Sequence, residues 1–285
     1  MKKGKRIDRN KGLWYNKMKK TRREERDKMD IEQNEDFIKI KDDLAQLGIK
    51  KGDDVLVHSA YKQLGPVDGG IETVIRAFLS LLGDEGTLLF PTLSFATVNP
   101  HPPVNNPLFD VRNTPACVGA MPNVFMKWDG VVRSMHPTHS VAALGARQKE
   151  YIKNHELDDE PVGPNSPFFK LGQWGGKVLF LGCSTDSNTS MHGVEEYAKA
   201  PYVLSPDTKR YILIDRQGNR TEKDYRYHYI GQRGYAQRYS RLEHIMKFQR
   251  GKVLSAECAL VDCREMWKVG TEKIKQEPYY FVEKM

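Results

Sequence analysis

No stretch of eighteen consecutive apolar residues occurs anywhere in this chain, and its basic N-terminal segment is not followed by an apolar h-region. Neither a membrane-spanning helix nor a secretory signal is expected. Cysteine is scarce: Cys117, Cys183, Cys258 and Cys263 are scattered too widely for a disulfide framework or a zinc motif, so a reducing, cytoplasmic setting is expected. The body also lacks net charge. Of 45 basic and 37 acidic side chains, 13 and 5 fall in residues 1–30, which leaves 32 of each sign for the remainder. The whole excess of +8 therefore lies in residues 1–30, within an arm, taken as residues 1–35, that has no periodic apolar face. Such an arm could offer charge to nucleic acid or anionic lipid, but its composition is more often that of a flexible, solvated leader. The body shows no basic stripe interleaved with aromatics, which disfavours a nucleic-acid-binding body.

What is present is an α/β pattern. Phe37–Leu47 reads as a helix stopped by Gly48, Asp54–His58 as a strand, Ile71–Leu82 as a helix and Thr87–Pro91 as a strand. Residues 96–115, rich in Pro and Asn, read as a long and therefore functional loop. Val118–Lys127 and Ala146–His155 are expected as helices around a short strand at Val141–Leu144, and Arg210–Asp215 as a further strand. No linker divides residues 36–285, which are taken as one domain.

Three segments carry chemistry. The most informative is Val178–Tyr197: an apolar strand ended by Gly182, eight small or polar residues, then a helix from Met191. His192 falls in its first turn, with Glu195 and Glu196 at i+3 and i+4 on a shared face. A strand, a polar loop and a carboxylate-backed histidine can present a general base at the carboxyl end of a sheet. The alternative is a first-turn histidine whose glutamates only complement the helix dipole. The second segment runs from Val55 through His58-Ser59 and Gly65, Gly69 and Gly70 into the helix at Ile71, and it reads as an anion cradle. Its glycine spacing fits neither a Walker loop nor a dinucleotide fingerprint. The third, Arg133 to Gly145, contains His136 and His139, but Pro137 keeps them from sharing a helix face. Ser134, His136 and Ser140 read as polar groups lining a cleft.

In this order, the motifs Val57-His-Ser, Leu64-Gly65, Gly69-Gly70, Gly86-Thr87, Pro91-Thr92, Phe109-Asp110, Arg133-Ser134, His136-Pro137, Ser140-Val-Ala-Ala-Leu-Gly, Gly163-Pro-Asn-Ser-Pro, Val178-Leu-Phe-Leu-Gly, Asn188-Thr189 and His192-x-x-Glu195 resemble the aminoglycoside 3-N-acetyltransferase family over roughly residues 37–282. The basic arm lies outside the resemblance. The likeness implies a single three-layer α/β/α domain around a mixed β-sheet, with acetyl-CoA as acetyl donor and a small-molecule amine as acceptor. It implies Ser59, Leu64, Gly65, Gly69, Gly70 and Thr73 as coenzyme contacts, with Ser134, His136 and Ser140 on the opposite wall. It implies His192 as base, Glu195 as its orienting group, Thr189 positioning the thioester carbonyl or the histidine loop, and Asp186 facing the amine, with Glu196 and Asp110 as further substrate-side acids. No metal is implied.

The sequence departs from the family's pattern in Gly193-Val194, where a bulkier pair is usual, and in the extra acid Glu196, which leaves open which carboxylate partners the base. A polycationic drug would be met best by an acidic cleft, yet the body is neutral. Local acidity would have to come from Asp110, Asp186, Glu195, Glu196, Asp224 and the acidic run 156–160. Three rivals stand beside direct transfer to an aminoglycoside or amino sugar. One is acetylation of another metabolic amine, the second an acyl-enzyme on Cys183, and the third a metal-dependent hydrolase built on His136, His139 and His192.

Overall fold

The computed structural model describes residues 33–285, so the arm lies outside the described residues except at its end. There Asn34 accepts from Phe37 N at 2.9 Å and caps helix α1 (Glu35–Gln46), whose Phe37, Ile40 and Leu44 are buried. Strand β1 (Asp54–Ser59) follows, then α2 (Gly70–Leu82), β2 (Thr87–Pro91), β3 (Leu108–Asp110), α3 (Ala120–Phe125), β4 (Val132–Arg133), β5 (Val141–Gly145) and α4 (Gln148–Ile152). The second half comprises α5 (Pro167–Trp174), β6 (Lys177–Leu181), α6 (Ser190–Tyr197), β7 (Leu204–Ile214), β8 (Arg220–His228), β9 (Tyr235–Gln237), β10 (Gln249–Val253), β11 (Ala256–Asp262), α7 (Cys263–Gln276) and β12 (Val282–Lys284).

Seven strands form one mixed sheet in the order β10-β11-β6-β1-β2-β5-β4. Its centre, β6-β1-β2, is parallel, and the flanking pairs are antiparallel. Alternating side chains divide the core between two faces. Val55, Val57, Leu88, Phe90 and Leu179 pack against α1, α2 and α3, whereas Leu56, Leu89, Val178 and Phe180 pack against residues of α4–α7. The three-layer α/β/α architecture follows directly.

A second, three-stranded sheet, β3-β7-β8, stands beside this frame over its own small core of Phe109, Val111, Tyr211, Leu213 and Tyr225. It accounts for two departures from expectation. The loop at 96–115 is drawn into the sheet where Leu108 pairs with Ile212, and the strand expected at 210–215 begins at Leu204 because β8 extends it as a hairpin. Two expected helices are shorter than their apolar pattern. Gly119, at φ 109°, precedes α3, and α4 stops at Ile152 because Asn154, at φ 65°, turns the chain so that His155 is buried. Among the described residues no helix is long and apolar enough to cross a membrane.

Candidate active site

The carboxyl ends of the parallel strands β1, β2 and β6 open onto a cleft, the position where open α/β sheets hold their ligands. Two cavities meet there. One, of about 370 Å³, is bounded by His58, Ser59, Leu93, Cys183, Asp186, Thr189 and His192. The other, of about 430 Å³, lies toward the hairpin and is bounded by Asn99, His139, Lys209, Tyr211, Tyr227, His228 and again His192. His192, Leu93, Phe95 and Gln237 belong to both. The imidazole thus stands where a group from each cavity can reach it.

The loop after β6 delivers His192 in the first turn of α6. Glu195, one turn on, is completely buried. Tyr202 and Tyr239 donate their hydroxyls to its two oxygens at 2.9 and 2.8 Å. The Tyr239 oxygen lies 2.9 Å from His192 Nδ1, and Glu195 Oε2 lies 3.4 Å from the same nitrogen. Because Tyr239 gives its proton to Glu195, Nδ1 carries the hydrogen, and Nε2 keeps its lone pair. Nε2 sits 3.4 Å from the Gln237 amide nitrogen, at the seam of the two cavities. Asp186 accepts from Ser240 N at 2.8 Å and so ties the loop to the segment that carries Tyr239. Thr189 lines the first cavity, and its hydroxyl does not cap the helix.

The second glutamate has a different partner. Glu196 is bonded to His228 Nε2 at 2.6 Å and accepts from Val162 N. Burial pushes its carboxyl up and the His228 imidazole down, so both favour their neutral forms. His228 stacks on His192 with centroids 4.1 Å apart. Two adjacent glutamates therefore hold two stacked imidazoles, and Glu195 is the partner of His192. The Gly193 departure is also explained, because a Cβ there would lie 2.4 Å from Val162 and 2.6 Å from Trp267. The helix can approach α7 only with glycine at this position.

Several residues expected at the site are elsewhere. Ser134, His136 and Ser140 line neither cavity; they belong to a closed polar scaffold. Arg133, almost fully buried, donates to Thr92 Oγ1 and O, to Ser140 Oγ and to Thr114 O. Desolvation lowers its guanidinium to about 9. Ser134 donates nothing to the cleft; its oxygen accepts from Val141 N and meets His155 Nδ1 at 2.9 Å. His136 Nδ1 accepts the amides of Thr138 and His139, and its ring stacks on His155 with centroids 4.8 Å apart. Of the coenzyme-side residues only Ser59 lines the cleft. Leu64 is in the core, and Thr73 donates to Asp68 O at 2.7 Å. Gly65, Gly69 and Gly70 have positive φ and form the corner before α2, where Asp36 already accepts from the Asp68 amide. Asp110 binds Arg112 and Asn113 outside both cavities, and Asp224 pairs with Arg210. In the 156–160 run, Asp159 pairs with Lys223 and Glu160 with Arg226. The acidic pocket anticipated from these residues does not form.

The sequence reading missed His58, His228, Tyr202 and Tyr239. His58, the penultimate residue of β1, stacks on Phe180 and is lowered to about 3 by burial. Its Nε2 has no partner among the described residues. The motif Val57-His-Ser was a usable signal for it, whereas nothing near His228 or the two tyrosines marks them as neighbours of position 192. Among the described residues, His139, His192 and His228 form the one group of three side chains that could share a metal, with ligating atoms within 4.8 Å of one another. His228 thus stands where His136 was expected in the rival metal reading. Cys183 borders the cleft, but burial pushes its thiol up to about 11, which leaves it protonated near neutrality.

A profile of the aminoglycoside 3-N-acetyltransferase family matches residues 56–275. The chain is 32% identical over 263 residues to the prophage-derived aminoglycoside N(3')-acetyltransferase-like protein YokD of Bacillus subtilis, an alignment covering 82% of this chain and 92% of that one. Among solved structures, AAC-IIIb in its binary complex with coenzyme A superposes with a TM-score of 0.70 at 25% identity, covering 83% of this chain and 95% of the other. A mutant of aminoglycoside acetyltransferase AAC(3)-IVa in complex with a gentamicin gives 0.69 at 25% identity, covering 85% and 89%. With the fold, the cleft and the profile in agreement, the chain belongs to the aminoglycoside 3-N-acetyltransferase family and is an acetyl-CoA-dependent acyltransferase.

Proposed function

We propose that this protein transfers an acetyl group directly from acetyl-CoA to a primary amine of an amino-sugar acceptor, the class that includes aminoglycosides, with His192 as general base. The observation that carries the reading is the position of His192: Nδ1 is held by Tyr239 and the buried Glu195, and Nε2 stands at the seam of the two cavities. Acetyl-CoA approaches through the first cavity past Ser59, and the acceptor occupies the second.

An amine with a pKa well above 7 arrives as an ammonium, and attack requires its lone pair. His192 Nε2 takes that proton, and the buried Glu195 carboxylate stabilises the imidazolium that results. The amine nitrogen then bonds to the thioester carbonyl carbon. As the carbon–sulfur bond breaks, the proton held on Nε2 passes to the departing sulfur, and the excess proton on the new amide nitrogen leaves through the freed Nε2 to solvent. Ammonium and thioester thus give amide, thiol and one released proton. Thr189, with its hydroxyl free of capping duty, supplies a donor to the oxygen on which charge develops. The protonated state of the Cys183 thiol supports direct transfer over an acyl-enzyme.

The test is release of free thiol from acetyl-CoA across a panel of aminoglycosides, amino sugars and simple amines. His192→Ala is expected to lower kcat by roughly 10²–10⁴-fold with acetyl-CoA affinity nearly intact, and Cys183→Ala to stay within about threefold of wild type, since its thiol is inert. Wild-type turnover by His192→Ala, or its loss in Cys183→Ala, refutes the assignment.

A further inference from the structure

Among the described residues, none that lines the cavity assigned to the acceptor is a carboxylate. Its lining is aromatic, aliphatic, amide and imidazole, with one hydroxyl from Thr138 and a single formally charged group, Lys209. Glu195 and Glu196 are near, but each lies behind the imidazole it holds, and Asp110 and Asp224 are engaged elsewhere.

Lys209 is a buried cation on the inward face of β7, only 9% exposed. It forms no ion pair among the described residues. Its ammonium donates to Asn99 Oδ1 at 3.1 Å and lies 4.0 Å from the centre of the Tyr227 ring. Its neighbour Arg210 points to the other face and is paired with Asp224. A charge removed from water costs free energy unless a counter-charge compensates it. One amide oxygen and one aromatic face are partial compensation. An ammonium held this way, at the wall of a 430 Å³ cavity, is built for an anion that comes with the ligand.

We infer that the acceptor is an amino sugar that also carries an oxyanion, a carboxylate or phosphate, which Lys209 receives while the amine faces His192. A polycationic aminoglycoside would instead bring several ammonium groups against an uncompensated lysine, with no acid among the described residues lining that cavity. This inference rests on the acetyl-transfer reading above and narrows its acceptor.

The experiment compares kcat/KM for glucosamine 6-phosphate and muramic acid, which separate phosphate from carboxylate, with glucosamine and gentamicin. The wild-type enzyme is expected to favour at least one anionic amine over glucosamine by roughly ten- to a hundredfold, the range for a hydrogen bond between charged groups. Lys209→Met collapses that ratio and Lys209→Arg largely restores it. A preference for gentamicin, or a ratio that survives Lys209→Met, overturns the inference and leaves acetyl transfer standing. If no amine is acetylated, the acetyl-transfer reading falls. Calorimetry in the presence of coenzyme A then decides the remaining point: binding of either anionic amine that Lys209→Met weakens tenfold upholds the anion site, and absence of such binding overturns it.

Discussion

Replacing Glu195 with glutamine isolates what the buried carboxylate does for His192. The substitution preserves volume, and the hydroxyls of Tyr202 and Tyr239 can rotate to serve an amide, so the helix packing survives. What disappears is the negative charge 3.4 Å from Nδ1. At an effective dielectric of about 20, a full imidazolium at that distance gains about 5 kcal/mol from the carboxylate. The proton is only partly transferred at the transition state, and the two tyrosines already spread the carboxylate's charge. About half of that figure is therefore catalytic, roughly 2–3 kcal/mol, or about 30- to 150-fold in kcat. Steady-state thiol release, paired with calorimetric acetyl-CoA binding, separates the effects. The fall should appear in kcat, with coenzyme affinity unchanged, and should be smaller than that of His192→Ala. A Glu195→Gln enzyme within threefold of wild type, or one impaired only in coenzyme binding, would show that the carboxylate is structural.

Arg133→Met should destabilise the fold by about 3–5 kcal/mol, because Thr92, Thr114 and Ser140 keep buried acceptors that lose their donor. Thermal unfolding should show Tm lower by roughly 10 °C, and an unchanged Tm refutes the scaffold role. His155 is held at about 3 by burial, so between pH 6.5 and 3 the unfolded chain binds a proton there that the folded chain does not. Its contribution is intact above 6.5 and is lost as pH falls: at pH 4.5 the loss is roughly 2–3 kcal/mol. Urea unfolding at pH 7 and pH 4.5 should therefore show a larger loss for wild type than for His155→Gln, a difference insensitive to Glu196, whose raised carboxyl acts in the opposite direction. Equal losses would contradict the neutral, buried histidine. Added Zn²⁺ should inhibit by joining His192 to His139 and His228, with EDTA restoring activity and His228→Gln weakening the inhibition. Activity that vanishes on EDTA dialysis and returns with Zn²⁺ would revive the metal-dependent reading.

The sequence alone determined whatever depends on local pattern. Apolar periodicity marked α1 and α2, because one face of each must be buried, and continuous apolar runs marked the parallel strands, which are buried on both faces. The break from the apolar run Val178–Leu181 to small polar residues located the loop that carries His192, and the i+3 spacing paired it with Glu195. Asp262, which caps α7, and the apolar face at Met266, Trp267 and Ile274 were equally local signals, and reading them would have found that helix. Tertiary structure decided the rest. Whether Ser134, His136 and Ser140 face a cleft or a buried arginine depends on where Thr92 and Thr114 fall, and no spacing encodes that. Tyr202, His228 and Tyr239 reach the catalytic histidine from other elements across chain separations that only folding closes. The charge of the acceptor cavity is the clearest case. Apart from Asp186, the acids nearest in sequence to the motifs are consumed by arginines, lysines and imidazoles, while Lys209, unremarkable in sequence, is left buried with no carboxylate partner among the described residues, because β7 turns it inward and Arg210 outward.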